Sequence, residues 1–378
     1  MASAPFPSRP IAPGGDRYGT HRALSPLGSM PQSALRLDND FTRLFWGEAL
    51  LAVDTLNLDA ASFAQMERAA RSGEGAGESL GGAAAPSTSI EESIAHMVRR
   101  TVAERGKQQN PVTDSGGMLL GRVLQLAPGR DEESIAPGDP IATLVSLTLT
   151  PLRIDRVRAV RCESAQLDVE GEAVLFASGA YARMPDDMPQ RLALAVLDVA
   201  GAAPQVARLV RPGSVVAVLG AAGKSGVLCA AEARRTGGPS AIVVGVDSNP
   251  VGVEQLRALG LCDAVLVADA CDPAIVRSAV LDATRGREAD VTFSCVNVPG
   301  AEMSAILVTR ERGIVYFFAM STSFTKAALG AEGVGKDVDL LIGNGYARGH
   351  AEHTLALVRE MPSVRALLER RLFSDRSA

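Results

Sequence analysis

The feature that most constrains the fold of this chain is residues 215–235, VVAVLGAAGKSGVLCAAEARR, together with the segment AIVVGVD that ends at Asp247. The first six residues form an apolar, β-branched run of the kind found in buried strands. Glycines then recur at Gly220, Gly223 and Gly226, and a helical stretch, a second apolar strand and an acid follow. This order predicts the first strand–helix–strand unit of a doubly wound parallel sheet that binds a dinucleotide.

Each glycine of this unit has its own physical reason. Gly220 lets the chain turn sharply, Gly223 removes a Cβ where a pyrophosphate approaches the backbone, and Gly226 lets the helix pack closely on the strand. The helix N-terminus presents free N–H groups and a partial positive charge to the phosphates. Asp247 lies 27 residues after Gly220, near the distance expected for an acid that binds the adenosine ribose. Because a carboxylate repels a 2′-phosphate there, the sequence favours NAD over NADP.

A phosphate-binding P-loop is the competing interpretation, because Gly223, Lys224 and Ser225 read GKS. That motif needs another glycine five residues before the one that precedes the lysine, and Val218 occupies this position. We therefore interpret Lys224 as a neighbour of the pyrophosphate or as a solvent-exposed side chain.

Further strand-like segments follow in the order of a doubly wound sheet, at residues 263–269, 290–298, 313–320 and 338–342. Ligands of such sheets lie beyond the carboxyl ends of the strands, which places the residues after the fourth and fifth strands near the nicotinamide. The predicted cofactor contacts are Gly220, Ala222, Gly223, Lys224, Ser225, Gly226, Asp247, Ser248, Asn297, Val298, Ser321, Thr322 and Ser323.

The chain before residue 195 has a different pattern. Short strand-like segments separated by turn signals, at 48–53, 119–126, 141–149 and 172–176, predict a mostly antiparallel β domain. We expect a flexible arm at 1–17, a substrate domain at 18–195 with a flexible Gly/Ala/Ser insertion at 71–89, a nucleotide-binding domain at 196–345, and a helical segment at 346–378 able to pack back on the substrate domain.

Composition excludes several classes of function. The net charge is −5, and acidic and basic residues are interspersed, so the sequence has no cluster of basic residues of the kind that binds nucleic acid. No apolar run approaches the ~20 residues of a membrane span, and the polar, proline-rich N-terminus is unlike a secretory signal. Five scattered cysteines favour reduced thiols. We therefore expect a cytoplasmic protein with no membrane or nucleic-acid partner.

A β domain followed by a six-stranded nucleotide-binding domain resembles the medium-chain dehydrogenases, which combine a GroES-like domain with a Rossmann domain. Residues 110–123, NPVTDSGGMLLGRV, resemble the segment that carries Gly-His-Glu-x-x-Gly in zinc members, but Gly117 stands at the histidine position and Met118 at the glutamate position. His350 and His353 share a polar helical face, an arrangement more typical of solvated residues than of a metal site. We therefore predict no metal.

Three segments resemble the L-erythro-3,5-diaminohexanoate dehydrogenase family: residues 18–40, 107–123 and 316–352. The resemblance implies NAD-dependent oxidative deamination of (3S,5S)-3,5-diaminohexanoate to 5-amino-3-oxohexanoate and ammonia, as in lysine degradation. Two departures are the tract at 71–89 and Asp114, where we expect glycine in the family. Either departure leaves another β-amino acid open as the substrate.

Oxidation of an amine by hydride loss needs the free base, because an ammonium has no lone pair. A general base must therefore accept a proton, and it can later activate the water that attacks the imine. The candidates are His21, Asp59, Lys107 and Asp114. The candidates for holding the ends of the substrate are Arg22, Asn57, Asn110 and Lys326.

Two functions of other classes remain open. A zinc-free enoyl or quinone reductase would use NADPH, which Asp247 disfavours. A redox sensor would bind NAD without turnover. Whatever the reaction, we expect a homodimer, paired through the edge strand of the nucleotide-binding domain.

Overall fold

The computed structural model describes residues 8–73, 89–130, 135–343 and 345–373. Contacts divide the chain into two compact units, with the division between Leu194 and Ala195. Most of the tract at 71–89, which we predicted to be a flexible insertion, lies outside the described residues, as does the first part of the predicted arm at 1–17.

The first unit is built around an antiparallel sheet. Its elements are β1 (Ala23–Ser25), β2 (Arg36–Leu37), β3 (Ala49–Leu58), α1 (Ala60–Ser72), α2 (Ile90–Arg105), β4 (Gly117–Leu126), β5 (Pro140–Thr143), β6 (Leu152–Arg161), β7 (Gln166–Leu175), β8 (Tyr181–Arg183) and α3 (Gln190–Leu197), which crosses the division. The sheet has the strand order β6-β7-β3-β4-β5-β8, and β1 pairs with β2 separately.

Helix α2 covers β6 with one apolar face. Ile94, Val98 and Val102 recur at a spacing of four along the helix, and each is at most 2% exposed. The helix begins with a capping box in which the Ser89 side chain accepts a hydrogen bond from the Glu92 N–H and the Glu92 side chain accepts one from the Ser89 N–H. Burial of each of these aliphatic side chains stabilises the unit by about 1.5–3 kcal/mol.

The second unit is a doubly wound α/β structure. Its elements are α4 (Ala202–Leu209), β9 (Val215–Leu219), α5 (Lys224–Gly237), β10 (Ile242–Asp247), α6 (Pro250–Ala258), β11 (Ala264–Val267), α7 (Pro273–Ala283), β12 (Ala289–Ser294), α8 (Glu302–Val308), β13 (Thr309–Phe317), α9 (Phe324–Gly333), β14 (Asp339–Ile342), α10 (His350–Glu360) and α11 (Pro362–Phe373). The sheet is parallel throughout, with the strand order β11-β10-β9-β12-β13-β14.

The strand order reverses at β9, which is buried along its whole length. Strand β10 lies on one side of it and β12 on the other. The loops that follow β9 and β12 therefore lead away in opposite directions at the carboxyl end of the sheet, which opens the crevice where ligands of such sheets bind.

Three elements differ from the sequence analysis. The strand expected at 141–149 ends at Thr143, because Ser146 caps a short 3₁₀ turn at Leu147–Leu149. The residues after β3, for which the sequence analysis predicts no element, form helix α1, which begins directly after its cap, Asp59. Strand β6 was missed because it is rich in arginine.

The C-terminal segment, predicted to be helical, forms two helices. A break between Glu360 and Pro362 separates α10 from α11, since proline starts a helix readily but interrupts one already formed. Both helices belong to the second unit, where they pack on α5 and α10 also packs on α4. The sequence leaves packing of this segment on the substrate domain open.

Among the described residues, no single helix is both long and apolar enough to cross a membrane. Helices α3 and α4 meet those criteria only as a pair, and they are bent by 49° relative to each other.

Candidate active site

The glycine-rich turn after β9 has a shape that only glycine permits at two positions. Gly220 has a φ of +72°, and a Cβ there would lie 2.9 Å from the Cys295 carbonyl oxygen. A Cβ at Gly226 would lie 2.1 Å from the Gly220 oxygen. Gly223 differs, because its nearest neighbour would be the Gly220 oxygen at 3.4 Å. The missing side chain at Gly223 thus leaves open space above the backbone, as a pyrophosphate requires.

Helix α5 begins at this open position. Its cap, Gly223, provides no side-chain hydrogen bond, so no capping side chain satisfies the first backbone N–H groups of the helix. Such groups, aligned with the positive end of the helix dipole, form an anion-binding site. The residues present therefore fit the phosphates of a dinucleotide.

Asp247 ends β10 next to the turn. One of its carboxylate oxygens accepts a hydrogen bond from the Ala222 N–H at 2.9 Å, and the other accepts one from the Asn249 N–H at 2.9 Å. Lys224 does not extend freely into solvent, since its Nζ lies 2.8 Å from the carboxylate of Asp198. Ser225 is half-buried and Ser248 exposed.

The carboxyl ends of β12 and β13 bring the remaining predicted cofactor contacts together. The Ser321 hydroxyl donates to the Val296 carbonyl at 2.8 Å, beside the exposed residues Asn297 and Val298. Thr322 is half-buried. The Ser323 side chain caps α9 by accepting from the N–H of Lys326, an exposed residue of that helix.

In the first unit, His21 and Arg22 lie in a buried ionic cluster around Glu48. His21 Nε2 is 2.9 Å from the Glu48 carboxylate and Nδ1 is 3.3 Å from that of Asp16. Burial opposes the ionisation of Glu48, but the hydrogen bonds from Arg22 and His21 lower its pKa below the ordinary value. With both ring nitrogens engaged, His21 holds the cluster together.

Arg22 has no hydrogen-bonding capacity left for a substrate. Its side chain is fully buried, and its guanidinium donates to Glu48, to Asp38 and to the carbonyl oxygens of Asp40 and Arg43. These contacts account for all five N–H groups of an arginine. The carboxylate clamp that we expected at Arg22 is thus occupied by the protein itself.

Lys107 is likewise engaged internally. It is fully buried, and its Nζ donates to the carbonyl oxygens of Pro31 and Gln32 at 2.7 and 3.1 Å. Burial lowers its pKa to about 8, with a further lowering from Arg105 and an opposing effect of Asp114. A fully enclosed amine of this kind joins two loops.

The remaining candidates meet where α1 begins. The Asp59 carboxylate accepts hydrogen bonds from the Ser62 N–H and the Ser115 hydroxyl, both at 2.9 Å. Asn110 lies on the same loop as Ser115, and its backbone N–H donates to the Ser115 carbonyl at 2.8 Å. Asp114, next to Ser115, is exposed and accepts from the Gln109 side chain. The structure thus brings the half-buried Asp59 and the exposed Asp114 together, whereas Asn110 beside them is buried and only 1% exposed.

Asn57 and Gly117 support this group from β3 and β4. Asn57 is buried and accepts a hydrogen bond from Gln166 at 3.1 Å. A Cβ at Gly117 would lie 2.1 Å from the Asn57 backbone oxygen and 2.9 Å from the Asp59 nitrogen. No side chain fits there, so this backbone cannot carry the histidine that zinc members have at the position.

The two histidines of the C-terminal segment are engaged within the second unit. His350 is buried, and the His353 Nε2 lies 3.1 Å from the Glu232 carboxylate. Within the described residues, no group of three or more His, Cys, Asp or Glu side chains is arranged to hold a metal ion.

Two relatives cover almost the whole chain. The L-erythro-3,5-diaminohexanoate dehydrogenase of Acetoanaerobium sticklandii is 48% identical over 359 residues, which are 94% of this chain and 98% of that protein. The chain belongs to the L-erythro-3,5-diaminohexanoate dehydrogenase family. A second member, from Fusobacterium nucleatum, is 48% identical over 356 residues, which are 93% of this chain and 97% of that protein. Residues 21–185 match the model of the N-terminal domain of L-erythro-3,5-diaminohexanoate dehydrogenase.

Solved structures share the fold of this chain at low sequence identity. AibC is 19% identical with a TM-score of 0.50, and the match covers 85% of this chain and 82% of that one. Mycobacterial Rv1454c complexed with NADPH is 15% identical with a TM-score of 0.53, covering 86% of this chain and 89% of that one. The fold class predicted from the sequence is confirmed.

Sequence reasoning missed three side chains that complete these arrangements in this protein. They are Ser115, which donates to Asp59; Asp198, which pairs with Lys224; and Glu48, which anchors Arg22. Each of these side chains is separated from its partner by 26 to 56 residues in the sequence. No local sequence pattern indicates a pairing over that separation.

Proposed function

We propose that this chain is an NAD-dependent amine dehydrogenase that converts (3S,5S)-3,5-diaminohexanoate and water to 5-amino-3-oxohexanoate and ammonium. The observation that carries the proposal is 48% identity over 94% of the chain to an enzyme of that name. NAD, when bound, supplies the hydride acceptor for C3 of the substrate. The proposed setting is lysine degradation.

The choice of NAD rests on Asp247. Asp247 ends β10, the position from which an acid of a dinucleotide-binding unit reaches the adenosine ribose, and its carboxylate accepts the Ala222 N–H of the glycine turn. A carboxylate at this position hydrogen-bonds ribose hydroxyls and repels a 2′-phosphate. The pyrophosphate would be held by the N–H groups at the start of α5.

The proposed substrate group is Asp59 with Ser115. Two hydrogen bonds from the Ser62 N–H and the Ser115 hydroxyl stabilise the Asp59 carboxylate. An ionised carboxylate at this point suits the substrate's 3-ammonium group, which it would orient and whose proton it would accept as hydride leaves C3. Asp114, exposed on the same loop, is proposed to bind the distal ammonium.

We propose that the reaction proceeds without zinc. The observation behind this is Gly117, where a side chain would collide with the Asn57 backbone oxygen at 2.1 Å. A hydride leaves an amine carbon with the help of the nitrogen lone pair, so a Lewis acid on oxygen is not required.

The test is to mix the protein with NAD and (3S,5S)-3,5-diaminohexanoate at mildly alkaline pH and to measure NADH and ammonia. Equal amounts of both products are expected. NAD binding without turnover would refute the proposed substrate, and a panel of other β-amino acids would then separate a changed substrate from a sensor.

An Asp59→Asn variant tests the proposed role of Asp59. We expect kcat/KM to fall at least about 100-fold, in the range of lost general-base catalysis, while NAD binding stays unchanged. The matched control is Asp54→Asn, which removes another acid of the first unit whose carboxylate is 3.9 Å from Arg122. Equal activity of the two variants would rule out Asp59 as the base.

We also propose a homodimer that forms through β14. This strand is at the edge of the sheet, with Leu341 and Ile342 38% and 62% exposed. An unpaired edge with exposed apolar side chains is suited to pair with the same edge of a second copy.

A cytoplasmic location is proposed on the chemistry of the cysteines. All five are free thiols, as is usual in reducing compartments.

A further inference from the structure

The backbone of Ala222, in the middle of the glycine turn, is held from two sides. The Ala222 N–H donates to the Asp247 carboxylate at 2.9 Å, and the Ala222 carbonyl accepts from Arg371 Nη1 at 2.6 Å. Arg371 lies on α11, the last helix. A residue 149 positions away in sequence therefore lies beside the turn that is proposed to hold the pyrophosphate.

Arg371 is fixed in place by a second contact. Its Nε and Nη2 atoms donate to the Gln255 side-chain oxygen at 2.9 and 2.7 Å. Gln255 lies on α6, the helix that follows Asp247. A guanidinium has five N–H groups, so among the described residues one N–H on each Nη atom of Arg371 keeps no hydrogen-bond partner.

The electrostatic surroundings of Arg371 are mixed. Burial lowers its pKa, while the Asp247 carboxylate raises it and Arg370 lowers it further. A cavity of about 560 Å³ opens beside the guanidinium, lined by Gln255, Glu369, Arg370, Arg371 and Phe373. Glu369 is 2.9 Å from Arg365. Ala222 thus contacts both the acid at the end of β10 and a cation that keeps two N–H groups without a partner among the described residues.

We infer that Arg371 is a second determinant of cofactor choice, whose guanidinium offsets the charge of Asp247 and donates hydrogen bonds to a 2′-phosphate, so that the protein accepts NADP as well as NAD. The inference rests on the cofactor site of the proposed function. Planar, charged donors beside the ribose are the usual means of binding this phosphate. The wild-type affinities for the two adenosine halves should lie within about tenfold of each other.

Calorimetric titration with 5′-ADP and with 2′,5′-ADP tests this inference without any substrate. For Arg371→Gln we expect the affinity for 2′,5′-ADP to fall at least about tenfold and that for 5′-ADP to fall less than about threefold, since only the 2′-phosphate loses a charge-assisted hydrogen bond. Arg371→Lys, which keeps the cation, should lie between wild type and Arg371→Gln. Arg365→Gln removes the same charge six residues earlier on α11 and should change neither affinity.

Three results would overturn the inference in distinguishable ways. An equal loss for both nucleotides would show that Arg371 only supports the turn. Wild type that binds 5′-ADP but not 2′,5′-ADP would leave the NAD site intact and remove the role of Arg371. Wild type that binds neither nucleotide would contradict the proposed cofactor site itself.

Discussion

Replacing Gly117 by alanine tests the packing that positions Asp59. Gly117 has a φ of +111°, and the added Cβ would meet the Asn57 oxygen at 2.1 Å, the Leu58 Cα at 2.8 Å and the Asp59 nitrogen at 2.9 Å. All three atoms belong to the backbone of β3 and its end, so no side-chain rotation relieves the contact. Gly138→Ala is the matched control, because Gly138 has a φ of +98° and nothing within 4 Å of its Cβ position.

The difference between the two variants isolates the collision. Positive φ costs an alanine about 1–3 kcal/mol at either position, and the reduced entropy of the unfolded chain offsets about 0.4–1 kcal/mol in both. Overpacking adds about 1–3 kcal/mol at Gly117 alone, and contact with rigid backbone favours the upper part of that range. We expect Gly117→Ala to be less stable than Gly138→Ala by about 2–3 kcal/mol.

Urea unfolding followed by the fluorescence of Trp46 measures this difference, since the only tryptophan of the chain lies in the first unit. Because the collision also displaces Asp59 from Ser115, kcat/KM should fall about tenfold or more in Gly117→Ala and remain near wild type in Gly138→Ala. Equal destabilisation of the two variants would refute the close approach of β3 and β4 at Gly117, and with it the argument against a histidine there.

Three other perturbations address separate parts of the molecule. Glu48→Gln should destabilise the first unit by about 3–5 kcal/mol at pH 7, the usual cost of breaking a buried ion pair. Because the pKa of Glu48 is lowered in the folded state, wild-type stability should fall as the pH drops below the unfolded value of 4.5. In acid unfolding curves, the variant should lack the part of this pH dependence that Glu48 contributes. The pKa of Lys107 is about 8 in the folded protein and 10.5 in the unfolded chain, so the unfolded chain binds more protons between these values. In urea titrations, wild-type stability should therefore rise from pH 8 to pH 10 relative to that of Lys107→Met. The same pH dependence of stability in both proteins would contradict the burial of the Lys107 charge. Ile342→Lys should convert the proposed dimer to a monomer in light scattering, whereas an unchanged mass would place the interface elsewhere.

Arginines explain the clearest failure of sequence reasoning in the fold. Strand β6, which the sequence analysis does not predict, carries Arg153, Arg156 and Arg161. Each of them pairs with an acid on the neighbouring strand β7, at Glu172, Glu170 and Asp168. Cross-strand pairs of this kind stabilise a strand only after the register is set, so they are invisible in a local window.

The candidate site residues show the same limit of sequence reasoning. Asp59 and Asp114 were proposed for their residue types, and the structure keeps both at partly accessible positions. Arg22 and Lys107 were proposed on the same grounds, and both are fully buried against internal partners. Residue type gives the chemistry that a side chain can perform, whereas its partners decide whether that chemistry is available to a ligand.

The sequence by itself determined the nucleotide-binding unit, because its signals are local: an apolar run for β9, the spacing of Gly220, Gly223 and Gly226, and Asp247 at the end of β10. Each of these acts through the backbone conformation of its own neighbourhood, which a short window contains. Only the tertiary structure decided that Arg371 and Asp247 both contact Ala222 and that a side chain at Gly117 would collide with β3. Those contacts join segments far apart in the chain, and their energies depend on distances that exist only after the sheets have formed.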